Sequence, residues 1–197
     1  MNFFIGGSPC SGKSTVCNVL AERYGLHAYH CDDHYDAHLS RARSGSILKK
    51  FQQLSWKEAF TTRSLRQMIA EELSANHELS AFALEDVNAM DAQVIAEGMP
   101  FLPDSISALQ PRANAVYLVP SAAFQRDHYA KREWAQDLLA TTADPEGVFE
   151  RWMARDAAAA GLIHARATAL GFAVLRVDGR LSIEQTVQWC ERNLGLG

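Results

Sequence analysis

Phe3-Phe4-Ile5-Gly6-Gly7-Ser8-Pro9-Cys10-Ser11-Gly12-Lys13-Ser14-Thr15 reads as a short buried strand, a glycine-rich loop and the start of a helix. Gly7, four intervening residues and then Gly12-Lys13-Ser14 fit the G-x-x-x-x-G-K-[ST] phosphate-loop pattern, with the strand before it and the helix after it that the pattern requires. Each residue type has a physical reason. Turning consecutive amide N–H groups inward around phosphate oxygens needs positive φ and close backbone approach, which glycine supplies at Gly7 and Gly12. Lys13 brings a point charge on a flexible stem, the Ser14 hydroxyl can ligate Mg²⁺, and the positive end of the following helix faces the anion. A turn that merely caps a helix needs neither a lysine nor a hydroxyl in those places. Residues Gly7, Ser8, Pro9, Cys10, Ser11, Gly12, Lys13, Ser14 and Thr15 are therefore read as the phosphate socket.

With 197 residues, 48% of them hydrophobic, the chain has the size and apolar content of one domain with a substantial core. A formal net charge of -4 gives no general electrostatic reason to approach nucleic acid or an anionic membrane, so neither is an expected partner and a small molecule is. No stretch resembles a membrane span, and the phosphate loop follows the first residues without an apolar leader, so a cytoplasmic location is expected. Cys10, Cys17, Cys31 and Cys190 lack C-x-x-C spacing, which suggests neither a zinc knuckle nor a disulfide framework. Cys10, in the loop near a helix start, is either oxidation-sensitive or simply a small residue that fits.

Working outward, Val16, Val19, Leu20 and Tyr24 recur at helical spacing and Gly25 marks the helix end. Leu26 to Cys31 suits a second strand that delivers Asp32-Asp33 at its carboxyl end, where open α/β sheets bind ligands. Residues 39 to 50 turn polar and basic and predict a loop or mobile segment, and Phe60 to Leu73 predicts a helix. Gln93 to Ala96 is a third strand ending at Glu97-Gly98, and Ala115 to Val119, between Pro111 and Pro120, is a fourth. Ser121 can cap a helix over 122 to about 140 carrying Arg126, Lys131 and Arg132. Asp144-Pro145-Glu146 opens another, with Arg151 and Arg155 on one face and Gly161 a point at which it bends or breaks. Ala173 to Val177 is a fifth strand, followed by Asp178-Gly179 and a capping box, Ser182 to Gln185, for a last helix with Ile183, Val187, Cys190 and Leu194 inward. Five strands separated by helical segments argue for a parallel sheet covered on both faces.

Assembled, the chain resembles the P-loop kinases that act on nucleosides, nucleotides and small metabolites, the group of uridine, gluconate, shikimate and adenylate kinases. The sharpest part is the Walker A stretch Gly7 to Thr15. Asp32-Asp33-His34-Tyr35 is similar to the D-x-F-Y element of uridine kinases, with His34 in place of Phe. Glu97-Gly98 is similar to the acidic-Gly pair that ends the third strand in this group, Arg151 and Arg155 look like lid arginines, and Asp178-Gly179 sits where the loop beside adenine lies. The resemblance implies an α/β/α sandwich with a five-stranded parallel sheet and a small helical lid. It implies a single domain over residues 1–197, a mobile acceptor-binding segment around 36–75 and a lid around 126–160.

The activity implied is transfer of the γ-phosphoryl group of ATP to a small acceptor, with ATP and Mg²⁺ bound. Such transfer asks mainly for positioning and charge neutralisation, which a socket, a metal, a carboxylate and lid arginines supply. The catalytic residues expected are Lys13, Asp32 as base toward an acceptor hydroxyl, and Arg151 and Arg155 closing over the phosphates. Asp33 is the reserve base, and Ser14, Asp33 and Glu97 are the expected metal-side residues. Capping of the next segment by the aspartates, a surface-turn role for Glu97 and a solvated helix face for the arginines are the bland alternatives.

His30, His34 and His38 recur at four-residue intervals, but a strand at His30 keeps the three rings off one face, which disfavours a transition-metal site. Three functions remain open: a kinase for a hydroxyl of a small metabolite such as a nucleoside; a nucleoside monophosphate kinase using Arg41, Arg43 or Arg63; and an ATP-binding regulatory protein that signals by lid closure. No N-K-x-D element occurs, which disfavours a GTPase switch. Acceptor identity and oligomeric state are not legible.

Overall fold

Five apolar runs pair as β1 (Phe3–Gly7), β2 (His27–His30), β3 (Val94–Glu97), β4 (Asn114–Pro120) and β5 (Ala173–Val177) into one all-parallel sheet, order β2-β3-β1-β4-β5. The computed structural model describes residues 2–110 and 113–196, with the backbone alone at 56 and 57; Pro111 lies outside the described residues. Because every strand pairs parallel to its neighbours, all five carboxyl ends lie on one side, and the order sets those of β1, β3 and β2 next to one another. The register puts Glu97 opposite Ile5 on one flank and opposite His30 on the other, directly below the turn where β1 becomes the phosphate loop.

Alternation along β1 separates two cores. Phe3 and Ile5 pack with α1 (Lys13–Tyr24) and α10 (Ile183–Leu194), through Val16, Leu20, Val187 and Leu194. Phe4 packs on the other face with α5 (Leu65–Ala89), α6 (Pro103–Ser107) and α9 (Pro145–Ala169), through Ala83, Val87, Ile106, Ala160 and Ile163. Each fully buried Leu, Ile or Phe here contributes about 1.5–3 kcal/mol. Such burial on both faces explains the uninterrupted apolar character of β1, β3 and β4.

Five expectations about the helical segments are corrected. Residues 39–50 are largely helical, in α2 (Tyr35–Arg41), which follows a 3-10 turn at Cys31–His34, and α3 (Ile47–Gln52). Polar composition suggested a loop, but Leu39, Ala42 and Leu48 bury against Ala75 and Leu79 of α5, and Ser46 caps α3 by accepting from Lys49 N. The helix expected over 60–73 is two: α4 (Trp56–Thr61) ends before Ser64, whose capping box with Gln67 starts α5. The helix expected over 122–140 divides at Lys131-Arg132 into α7 (Ala122–Ala130) and α8 (Glu133–Ala140). α9 runs unbroken through Gly161, and Ile183 of α10 is 50% exposed, its place inside taken by Thr186.

Candidate active site

The loop's shape follows from its sequence. A Cβ at Gly7 would lie 1.9 Å from the Leu118 carbonyl oxygen of β4, so only glycine lets β1 turn there. Gly12 caps α1 in the left-handed region at φ 81°, and Cys10, at φ 65°, is the one non-glycine residue with positive φ among the described residues. Ser11 Oγ and Lys13 Nζ each donate to the Ser8 carbonyl at 2.9 Å, closing the loop on itself. From outside, the buried Gln125 of α7 donates its amide to the Pro9 carbonyl at 3.0 Å. The loop's shape is thus fixed by bonds from within and from α7. Lys13 is 8% exposed, and burial pushes its ammonium below the ordinary lysine range against the opposing pull of Glu97 and Asp32.

Glu97, buried at the tip of β3, accepts a 3.0 Å hydrogen bond from Ser14 Oγ on Oε1, and His30 Nδ1 lies 2.9 Å from the same oxygen. The other ring nitrogen of His30 is 2.9 Å from Asn18 Oδ1 on α1. His30 therefore ties the ends of β2 and β3 to α1. Asp32 is the second residue of the 3-10 turn after β2. Partial burial, then the charges of Glu97 and Asp33, raise its carboxyl above the usual aspartate range, with Lys13 and His30 opposing.

These groups share one cleft of about 360 Å³, lined by the loop from Pro9 to Thr15 and by Asp32, Glu97, Gly98, Met99 and Arg132. Pro9, Asp32 and Met99 also line a second cavity of about 260 Å³, with Tyr35, Leu48, Phe51, Glu72 and Asn76. Tyr35, Phe51 and Glu72 in turn border a third, about 270 Å³, reaching Phe60, Arg63 and Arg155. A groove therefore leads from the loop past Asp32 into the helical segment 35–76. Ile183 Cδ1 lies 4.0 Å from where a Gly12 Cβ would stand, so the start of α10 borders the loop on its other side.

The expected site residues do not all meet. Lys13, Ser14, Asp32 and Glu97 share the cleft; Asp33, Arg151 and Arg155 are not among its lining residues. Arg151 instead donates Nε to the Phe60 carbonyl and Nη2 to the Arg63 carbonyl, joining α9 to the end of α4. Arg155 pairs with Glu72 and Asp156 in the third cavity. The arginine that does line the cleft, beside Lys13, is Arg132, at the α7–α8 break, its guanidinium over the Tyr129 ring at 5.2 Å. An unbroken helix through 122–140 gave no reason to single it out; a Lys-Arg pair at a helix break was the overlooked signal.

Hard oxygen donors at Ser14, Glu97 and Asp32 suit Mg²⁺ rather than a soft metal. The histidines assemble nothing of the kind: His34 stacks on Tyr29 with centroids 4.4 Å apart, and buried His38 sits 2.7 Å from Asp86. No group of three or more His, Cys, Asp or Glu side chains arranged to hold a metal occurs among the described residues. Nor, among them, is any helix long and apolar enough to cross a membrane. Trp152 is a core residue and Trp134 is 49% exposed.

The sequence matches no family model and no curated protein. Solved structures match along nearly their full length. Shikimate kinase from Acinetobacter baumannii, in complex with shikimate, superposes with a TM-score of 0.56 at 14% identity, covering 98% of this chain and 93% of that one. Shikimate kinase from Bacteroides thetaiotaomicron gives 0.56 at 16% identity, covering 100% and 99%. An uncharacterized protein from Eubacterium ventriosum gives 0.50 at 12% identity, covering 99% and 98%. What is shared at such identities is the fold, a five-stranded parallel sheet between helical layers, and this chain has the P-loop fold of the shikimate kinases.

Proposed function

We propose that this protein is an ATP-dependent phosphotransferase that moves the γ-phosphoryl group to a hydroxyl of a small metabolite. The observation that carries this reading is the juxtaposition of the loop, Lys13 and Asp32 around one cleft, with Asp32 also lining the cavity beyond it. A carboxylate at that junction suits a hydroxyl acceptor, because an acceptor phosphate brings no proton that must be removed. In the step, the acceptor oxygen bonds to the γ-phosphorus, the bond to the β–γ bridging oxygen breaks, ADP leaves and the acceptor proton passes to Asp32.

Loop amides and Lys13 hold the phosphates, and Arg132 is placed to reach them from the lid side. Mg²⁺ would be held by Ser14 with Glu97, while Asp33, the third expected metal-side residue and the reserve base, does not line the cleft; the ion would supply neutralisation of phosphate charge. Segment 36–75 walls the acceptor side and segment 126–160 the lid side of the same groove. Arg151 and Arg155 reach the phosphates in this reading only if α9 shifts, since other groups hold them here.

The test is incubation with Mg²⁺-ATP and pooled metabolites, followed by mass spectrometry for a species heavier by one phosphoryl group. Lys13→Ala and Asp32→Asn are each expected to abolish acceptor-dependent ADP release in a folded protein, the second by about 10²- to 10⁴-fold. Unchanged turnover in Asp32→Asn removes the base assignment. Tight ATP binding with no acceptor in any pool replaces the enzyme by an ATP-dependent regulator.

A further inference from the structure

The groove beyond Asp32 also bears on what the acceptor is, an inference that rests on the phosphotransferase reading. Two guanidinium groups line its outer cavity, and arginines in a binding site ordinarily select an anion. Here the protein has already answered both. Arg155 sets Nη1 3.1 Å from Glu72 Oε2 and Nη2 2.6 Å from Asp156 Oδ1, with its guanidinium 5.1 Å from the Phe60 ring centre. Arg63 pairs through Nη1 with Glu71 and donates Nη2 to the Ala59 carbonyl at 2.9 Å. Its Nε lacks a partner but is buried from solvent, out of a ligand's reach. Glu71, Glu72 and Asp156 thus stand against Arg63 and Arg155, and Asp32 adds another acid at the inner end. Among the described residues no lysine lines either cavity.

Local side chains register the resulting field. Burial, then Glu72 and Asp36, raise the Tyr35 hydroxyl, and burial, with Glu72 acting in the same direction and Arg155 against it, raises Asp156. An acceptor carboxylate or phosphate would have to displace Glu72 from Arg155, stranding a largely buried acid, or lie unpaired beside Glu72 and Asp32; each is strongly unfavourable in a desolvated groove. Hydroxyl or amide donors meet no such barrier. Glu72 borders both cavities, and its Oε1 is held 3.3 Å from the Asn76 amide, so the carboxylate is fixed in position to accept them.

We propose that Glu72 is the acceptor-reading residue and that the acceptor is an uncharged, two-part molecule. Its polyol head presents one hydroxyl to Asp32 and others to Glu72, and its flat ring lies in the outer cavity against Phe51, Leu54 and Phe60. A neutral nucleoside has this chemistry; a hydroxy acid such as shikimate, or a nucleoside monophosphate, does not.

The experiment compares kcat/KM for phosphoryl transfer from Mg²⁺-ATP to neutral nucleosides, to shikimate and gluconate, and to nucleoside monophosphates, with the wild-type chain and with Glu72→Gln. Wild type is expected to use the neutral pool alone. In Glu72→Gln, kcat/KM for the neutral acceptor should fall roughly ten- to hundredfold, mainly through KM, the size of one charge-assisted hydrogen bond. Thermal melting of Glu72→Gln reports whether it folds; if it does not, the wild-type comparison decides. Transfer to shikimate, gluconate or a monophosphate by wild type, at a rate equal to or above that for neutral acceptors, overturns the inference and leaves the phosphotransferase reading standing. A folded Glu72→Gln with unchanged KM removes Glu72 from acceptor recognition. Absence of product from every pool overturns the phosphotransferase reading and this inference with it.

Discussion

At the scale of single residues, the site is governed by what surrounds Asp32. Its carboxyl is raised by partial burial and by the charge of Glu97, so in its proposed role as base it would be active above its pKa and lost as pH falls through it. The acid limb of kcat should therefore lie above that expected of an ordinary aspartate near pH 3.9, and removing the Glu97 charge by Glu97→Gln should move it to lower pH. A pH–rate profile of Glu97→Gln with an unshifted limb contradicts the coupling. Arg132 carries the second prediction. As the arginine that lines the cleft from the lid side, its replacement by Ala should lower kcat by up to about 10³-fold with little effect on stability, read by single-turnover kinetics against a thermal melt. Lys13, Ser14 and Glu97 were legible from sequence because the loop pattern and the strand end each fix a position in space. Arg132, Glu72 and the partners of His30 were not, since they depend on where α7 breaks, on how α5 meets α9 and on how β2 registers against β3 and α1, which no local pattern encodes.

Among elements, the strands and the helix ends marked by caps at Gly25, Ser121, Asp144 and Ser182 were legible, and the helix boundaries within 35–64 and at 131–132 were not. An apolar run buried on both faces announces itself in composition, whereas α2 and α3 are helical because Leu39, Ala42 and Leu48 find α5, a fact about distant sequence. The same holds for Gly161, where propensity argued for a break and the packing of Ala159, Ala160 and Ile163 carried the helix through. Nothing outside the helix backbone lies within 4 Å of a Cβ built there, so Gly161→Ala should stabilise the fold by about 0.5–1 kcal/mol, measured as a shift in urea midpoint. A second tie between elements is pH-dependent. Asp86 of α5 meets His38 at 2.7 Å and Tyr29 at 3.2 Å, and Arg41 of α2 at 2.7 Å. Partial burial acts to raise its carboxyl, but the hydrogen bonds from His38, Arg41 and Tyr29 together outweigh this and hold it below the ordinary range. A depressed carboxyl stabilises the fold above the unfolded pKa and ceases to as pH falls through the folded one. Stability should thus be full above about pH 5 and decline below about pH 4, and Asp86→Asn should flatten that decline in urea titrations.

Across the whole molecule, the two cores that clamp the sheet differ from the clusters beneath the segments at its carboxyl edge. Tyr129, Ala135, Leu139, Val148 and Trp152 of the lid side bury together with Phe60 and Met68 of the acceptor side, and Cys10 of the loop packs against them. The segments proposed as lid and acceptor wall therefore share one apolar cluster, and Arg151 binds it further by holding the Phe60 and Arg63 carbonyls from α9. In the proposed mechanism, a motion that closes α8 over the phosphates would then carry α4 with it. In the proposed phosphotransferase, Arg151 would thereby have a part in closure that needs no contact with phosphate, coupling nucleotide arrival to the acceptor cavities. Hydrogen exchange should show α4 and α8 gaining protection together on addition of Mg²⁺-ADP, while α1 and β1 exchange only through global opening. In Arg151→Ala, loss of two hydrogen bonds should lower the opening free energy of α4 by about 1–3 kcal/mol and leave α8 alone responsive to nucleotide. Equal nucleotide-induced protection of both helices in that variant would show that the shared apolar cluster, without the arginine, is enough to move them as one body.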